Sequence, residues 1–118
     1  MRKAGLPVTV LVRGDPRPLP AGLNLSAYRI VQEALTNVLK HAGPASTEVI
    51  IRYLDRELQI QVTNDAPPTR PARDGQKGRG HGLIGMRERA ALYGGQLETG
   101  PLPGGGFRVW ACLRLEPS

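Results

Sequence analysis

Glu33, Asn37 and His41 recur every fourth residue in the segment SAYRIVQEALTNVLKHA, so on a helix they form one row along a single edge. A carboxylate in such a row can orient a water or take a proton, and an amide oxygen is a hard ligand of the kind Mg²⁺ accepts. Lys40, beside His41, adds a cation at the same end. A row of this kind bordering an apolar stripe can line the wall of a pocket; it is also what the solvated side of a surface helix looks like. A second set of chemistry-bearing residues lies in GRGHGLIGM, where Gly78, Gly80, Gly82 and Gly85 interleave with Arg79 and His81. Lys77 precedes them, and Arg87 and Arg89 follow. Glycines let backbone N–H groups approach an anion closely, and a helix starting there adds its dipole and unpaired donors. The arrangement suits a polyphosphate cradle, and it also suits a flexible hinge. It lacks the Gly-Lys-Ser/Thr ending of a P-loop and does not directly follow a strand, as a dinucleotide fingerprint does.

The elements that must position these residues follow from periodicity. Within 26–42, Ala27, Ile30, Val31, Ala34, Leu35, Val38 and Leu39 repeat with helical spacing and give one buried face. Pro16, Pro18 and Pro20 keep the preceding chain extended until Asn24 or Ser26 caps the helix, which Gly43 and Pro44 end. Residues 8–12 (VTVLV) read as a β-branched strand closed by a turn at 13–16. Residues 47–54 and 57–63, joined by the tight turn Asp55-Arg56, read as a hairpin whose second strand alternates Leu58, Ile60 and Val62 toward one face. A long Pro- and Gly-rich segment from 64 to 82 has no apolar period and fits a lid or a linker. A second helix spans 83–93 and is closed by Gly94 and Gly95. A strand begins at 96–98, the loop GPLPGGG occupies 100–106, and a last strand runs over 107–115. Two helices among so many consecutive strands exclude a doubly wound parallel sheet. They predict an α+β fold: two layers, with helices on one face of a mixed, largely antiparallel sheet.

The 118 residues suffice for one domain, 1–118, and 22% charged with 40% hydrophobic residues suit a folded, water-exposed chain. The net charge of +6 favours anionic partners, but the basic residues are scattered and only five aromatics (one Trp, one Phe, three Tyr) offer stacking platforms, which argues against nucleic acid. Cys112, alone, excludes an internal disulfide and an all-cysteine metal site, and its apolar neighbours mark it as a core filler. No apolar run reaches membrane-spanning length, and the basic start Met1-Arg2-Lys3 is not followed by a signal-peptide core.

Taken together, RIVQEALTNVLKHA and GHGLIGMRERAALYGG closely resemble the ATP-binding domain of bacterial sensor histidine kinases, in the subgroup of nitrate/nitrite sensors and the membrane-fluidity thermosensor. The wider group shares its Bergerat ATPase fold with gyrase B and MutL. The resemblance runs from Val8 to Leu115 and includes the PGGG before the last strand. It implies ATP and Mg²⁺ as cofactors, with Asn37 binding the metal that bridges the phosphates. Glu33 would polarise the nucleophile or organise the metal's waters. Lys40 and His41 would face the phosphates, Gly80, His81 and Gly82 would shape the phosphate loop, and Leu83 would lie against the nucleotide. Residues 65–79 would be a lid. In the family an Asp-x-Gly ends the second hairpin strand, and its Asp accepts a hydrogen bond from the adenine amino group. Here Asn64 stands at the Asp position and Ala66 at the Gly, with Asp65 as the acceptor only if the register slips. Family members phosphorylate a histidine on a separate helical dimerisation domain. His41 and His81 both belong to ATP-site motifs, so that phosphoacceptor domain is expected to be absent from 1–118. The implied partners are ATP, the helical domain of the same kinase and, indirectly, a response regulator; the implied state is a cytoplasmic monomer that is not membrane-inserted. An anti-sigma-factor-type serine kinase shares similar motifs, and the Asn64 and Ala66 departures also fit a degenerate, non-catalytic binding module.

Overall fold

A computed structural model describes residues 7–42, 45–65, 84–103 and 105–115, with only the backbone described at 41 and 42. The chain forms strand β1 (Val8–Gly14), helix α1 (Ala21–Ala42), strands β2 (Thr47–Tyr53) and β3 (Glu57–Asn64), helix α2 (residues 84–91), and strands β4 (Gln96–Pro101) and β5 (Phe107–Arg114). The sheet order is β1-β2-β3-β5-β4. β1 pairs with β2 in parallel, and every other pairing is antiparallel. The mixed, largely antiparallel sheet predicted from the sequence is therefore observed.

The helix layer packs on one face of the sheet because α1 carries an apolar stripe and β3 alternates. Ile30, Ala34 and Leu35 of α1 are almost fully buried, as are Leu58, Ile60 and Val62 of β3 and Ala111 and Leu113 of β5. The ladder aligns these residues into rows, Val49–Val62–Val109 and Ile51–Ile60–Ala111, which the stripe covers. Each row is a set of direct cross-strand neighbours, the contact that stabilises a sheet most. Met86 and Ala90 of α2 complete the layer and are fully buried.

α1 begins earlier than its periodicity suggests. The sequence pattern starts the helix at Ser26, with Asn24 or Ser26 as its cap; the structure starts it at Ala21. The Asn24 N–H donates to the Pro20 carbonyl at 2.9 Å, the first bond of the helical ladder, so Asn24 lies inside the helix. The physical cause is Leu23, 1% exposed, which extends the buried stripe one turn ahead of Ala27. Pro20, just ahead of the first turn, breaks no bond of that ladder.

The end of α2 matches its glycine signal. Gly94 adopts a left-handed φ of 65°, Gly94 N–H donates to Ala91 O at 3.0 Å, and Gly95 N–H reaches back to Ala90 O at 3.0 Å. These two bonds form a Schellman cap. The Tyr93 hydroxyl lies against Gly22, which ties this end of α2 to the start of α1. β4 runs through Gly100 and Pro101, which the sequence assigns to a loop, because they pair with Arg108 and Phe107. A proline fits there because β4 is an edge strand.

Candidate functional site

One end of the sheet is built differently from the rest. The last row on the helix-facing side is Thr47, Asn64 and Phe107, set side by side by the β2–β3 and β3–β5 registers. Thr47 satisfies itself locally, its hydroxyl donating to Ala45 O at 3.0 Å. Between this row and α1 lies a shallow recess, open to solvent, lined by Ala34, Asn37, Val38, Val62, Asn64, Phe107 and Val109. Its lining is apolar except for two carboxamides.

Asn37 projects from α1 into this recess and is 8% exposed, yet among the described residues its Nδ2 has no hydrogen-bond partner. Leaving a buried donor unsatisfied costs about 1–3 kcal/mol, so the amide is positioned for a group that the described residues do not supply. Asn64 is 7% exposed and faces the recess from β3. Its Nδ2 donates to the Asp65 carbonyl at 3.0 Å. Only the NH₂ end of a carboxamide can donate to a carbonyl, so this bond fixes the amide's orientation and leaves Oδ1 as the acceptor. Strand alternation separates Asn64 from Asp65. β3 buries every second residue, ending on Asn64; Asp65 follows on the exposed side, its N–H bonded to Ser46 O at 2.9 Å.

The other candidates occupy the surroundings. Glu33 lies one turn before Asn37 on the same edge of α1, half-buried and outside the recess lining. Lys40 is exposed near the C-terminal end of α1, and His41 belongs to the same helix. Gly80, His81, Gly82 and Leu83, and the lid segment beyond Asp65, lie outside the described residues. The structure adds Phe107, which the sequence reading assigns to a strand and to nothing else. Asn37 and Asn64, far apart in the chain, thus line one recess at the end of the helix–sheet interface, with Glu33 one turn outside it.

The residues present also fit Mg²⁺. That ion takes hard oxygen ligands and keeps several waters and substrate phosphates rather than a protein cage. Among the described residues no group of three or more His, Cys, Asp or Glu gathers to form such a cage. The Asn37 carboxamide offers one hard oxygen, with its Nδ2 free to donate to a phosphate oxygen.

Two carboxamides, one on a helix and one at a strand end, thus face a single recess, and comparison with known families identifies the kind of domain that carries it. The family model described as "Histidine kinase-, DNA gyrase B-, and HSP90-like ATPase" matches residues 22–117. The chain belongs to this ATPase family. It is an ATP-binding domain of the histidine-kinase type. The chain is 32% identical over 114 residues to the sensor histidine kinase YxjM of Bacillus subtilis, covering 96% of this chain and 27% of that protein. It is 31% identical over 114 residues to the sensor histidine kinase LnrJ of the same organism, covering 97% of this chain and 27% of that one. The chain thus spans about a quarter of the length of these curated relatives. The mycobacterial sensor histidine kinase MprB has the same fold, with a TM-score of 0.63 at 18% identity over 98% of this chain and 85% of that one. No helix among the described residues is long and apolar enough to cross a membrane.

Proposed function

We propose that the chain binds Mg²⁺-ATP in the recess between α1 and the sheet and, as the catalytic domain of a cytoplasmic sensor histidine kinase, hands the γ-phosphoryl to a histidine on a separate helical dimerisation domain. The orphaned amide of Asn37, buried beside the Asn64 acceptor, is the observation that carries this reading. Adenine enters the apolar end and donates its amino group to Asn64 Oδ1, while the phosphates extend toward Asn37, Lys40 and His41. On the sequence resemblance, Gly80, His81 and Gly82 are assigned to the phosphates and Leu83 to the nucleotide. Asn37 would hold Mg²⁺ through its carboxamide oxygen, and the ion would supply charge neutralisation at the phosphates. An imidazole nitrogen of the acceptor histidine attacks the γ-phosphorus, the bond to the β–γ bridging oxygen breaks, and ADP leaves. Glu33, one turn from Asn37, polarises that imidazole. Catalysis on this account is chiefly positioning and charge neutralisation. A response regulator receives the phosphoryl group afterwards, and this domain itself is a monomer.

Two experiments in sequence test the reading. Calorimetric titration with Mg²⁺-ATP gives saturable heat for the wild type and an affinity at least about ten-fold weaker for Asn37→Ala. Incubation with γ-labelled ATP and a supplied dimerisation domain then gives acid-labile label on that domain. Label appearing instead on a serine of a supplied protein substrate would support the anti-sigma-factor type of kinase. The absence of nucleotide binding would leave a degenerate binding module.

A further inference from the structure

Phe107 is the aromatic member of the recess lining, and the phosphoryl-transfer account gives it no role. It stands directly across the β3–β5 ladder from Asn64, on the same face and half-buried. Directly opposed residues in an antiparallel pair keep their Cβ atoms about 5 Å apart. A group hydrogen-bonded to Asn64 Oδ1 is therefore within reach of the Phe107 ring. Ala34, Val62 and Val109 supply the neighbouring walls, and none of these residues is charged.

This composition matters because the acceptor is neutral. A carboxamide oxygen makes a weaker hydrogen bond than a carboxylate, without charge assistance. Such a bond gains strength where water is excluded and the local dielectric is low. The ring beside Asn64 is placed to exclude that water and to lie against the flat face or edge of a heteroaromatic base.

We propose that Phe107 is a nucleobase-contacting residue that, paired with Asn64, reads the exocyclic amino group of adenine through a dry, uncharged contact. This inference rests on the ATP site proposed above. It makes base selectivity a property of the Phe107–Asn64 pair rather than of Asn64 alone.

The test is calorimetry on the 118-residue chain with Mg²⁺ and two ligands: ATP, and purine riboside triphosphate, which lacks the amino group. The ratio of the two affinities cancels everything the phosphates contribute. The wild type should prefer ATP by about ten-fold, the value of one hydrogen bond in a dry site. Phe107→Ala should weaken ATP about ten-fold and bring the two ligands close to parity. Phe107→Leu, which keeps apolar bulk and the fold, should fall between wild type and Phe107→Ala in both respects. A preference for ATP that persists unchanged in both variants overturns the inference. So does a uniform loss that leaves the ratio intact, since that would give the ring a purely structural role. Failure of the wild type to bind ATP at all would instead overturn the site assignment on which the inference stands.

Discussion

Replacing Asn37 by leucine should make the protein more stable and functionally inert at once. Asn37 is 8% exposed, and its Nδ2 has no partner. A buried, unsatisfied polar group costs about 1–3 kcal/mol. Leucine has the same branched, four-heavy-atom side chain with bulkier ends that the open recess can take, and its neighbours there, Ala34, Val38, Val62, Phe107 and Val109, are all apolar. Asn37→Leu therefore removes a penalty and adds apolar contact, for a net gain of roughly 1–2 kcal/mol in the free domain. For a domain of this size that gain raises Tm by about 4 °C or more, readable by scanning calorimetry. The same change deletes the oxygen and the amide proposed to hold Mg²⁺ and phosphate. A hydrogen bond to a charged group is worth about 1.5–3 kcal/mol, so Mg²⁺-ATP affinity should fall by roughly 10- to 150-fold. The opposite signs are the point: a structural asparagine would lose stability on substitution. A lowered Tm, or ATP binding left intact, would refute the reasoning.

Four further outcomes follow from the packing. Leu23→Ala should cost about 2–5 kcal/mol in denaturant unfolding, because Leu23 is 1% exposed, whereas Leu25→Ala, at 54% exposure, should change stability by no more than about 0.5 kcal/mol. Equal effects at the two positions would contradict a helix that starts at Ala21. Gly95→Ala should destabilise by about 2 kcal/mol or more, measured by thermal melt, because a Cβ there would overlap the Cys112 carbonyl oxygen. Burial pushes the Cys112 thiol up from 9.0 to about 11, reinforced by a hydrogen bond and the negative charge of Glu57 and opposed by Arg114. The folded protein thus keeps a proton that the unfolded chain releases first, so this group's stabilising contribution is intact below about pH 9 and is lost as pH rises toward 11. Cys112→Ala should flatten that part of the stability–pH curve, and the native thiol should react slowly with alkylating agents at neutral pH.

Much of this arrangement is legible in the sequence because the signals are local. The stripe from Ala27 to Val38 fixes which face of α1 is buried, and the four-residue spacing puts Asn37 in line with Glu33. The alternation of Leu58, Ile60 and Val62 carries forward to bury Asn64 and expose Asp65. The Gly94-Gly95 stop on α2 appears with the bonds its composition predicts. What escapes the sequence is non-local or composition-masked. Leu23 is hidden among Pro20, Gly22 and Asn24, residues that read as a loop, and only its burial under the sheet layer draws the helix forward. Pro101 reads as a turn until β5 supplies a partner on an edge strand. Phe107 becomes a recess residue only through its register with Asn64, and that register depends on a pairing between distant strands that no local pattern encodes.

The central claim is that Asn37 and Asn64 engage one Mg²⁺-nucleotide in the recess beneath α1. Side-chain amide NMR of a ¹⁵N-labelled sample, titrated with Mg²⁺ and a non-hydrolysable ATP analogue, reads both carboxamides directly. The account predicts that the NH₂ resonances of Asn37 and Asn64 shift together along one saturating isotherm, with the Phe107 amide following. Saturable binding that leaves both carboxamides unmoved, or no binding at millimolar nucleotide, would contradict it.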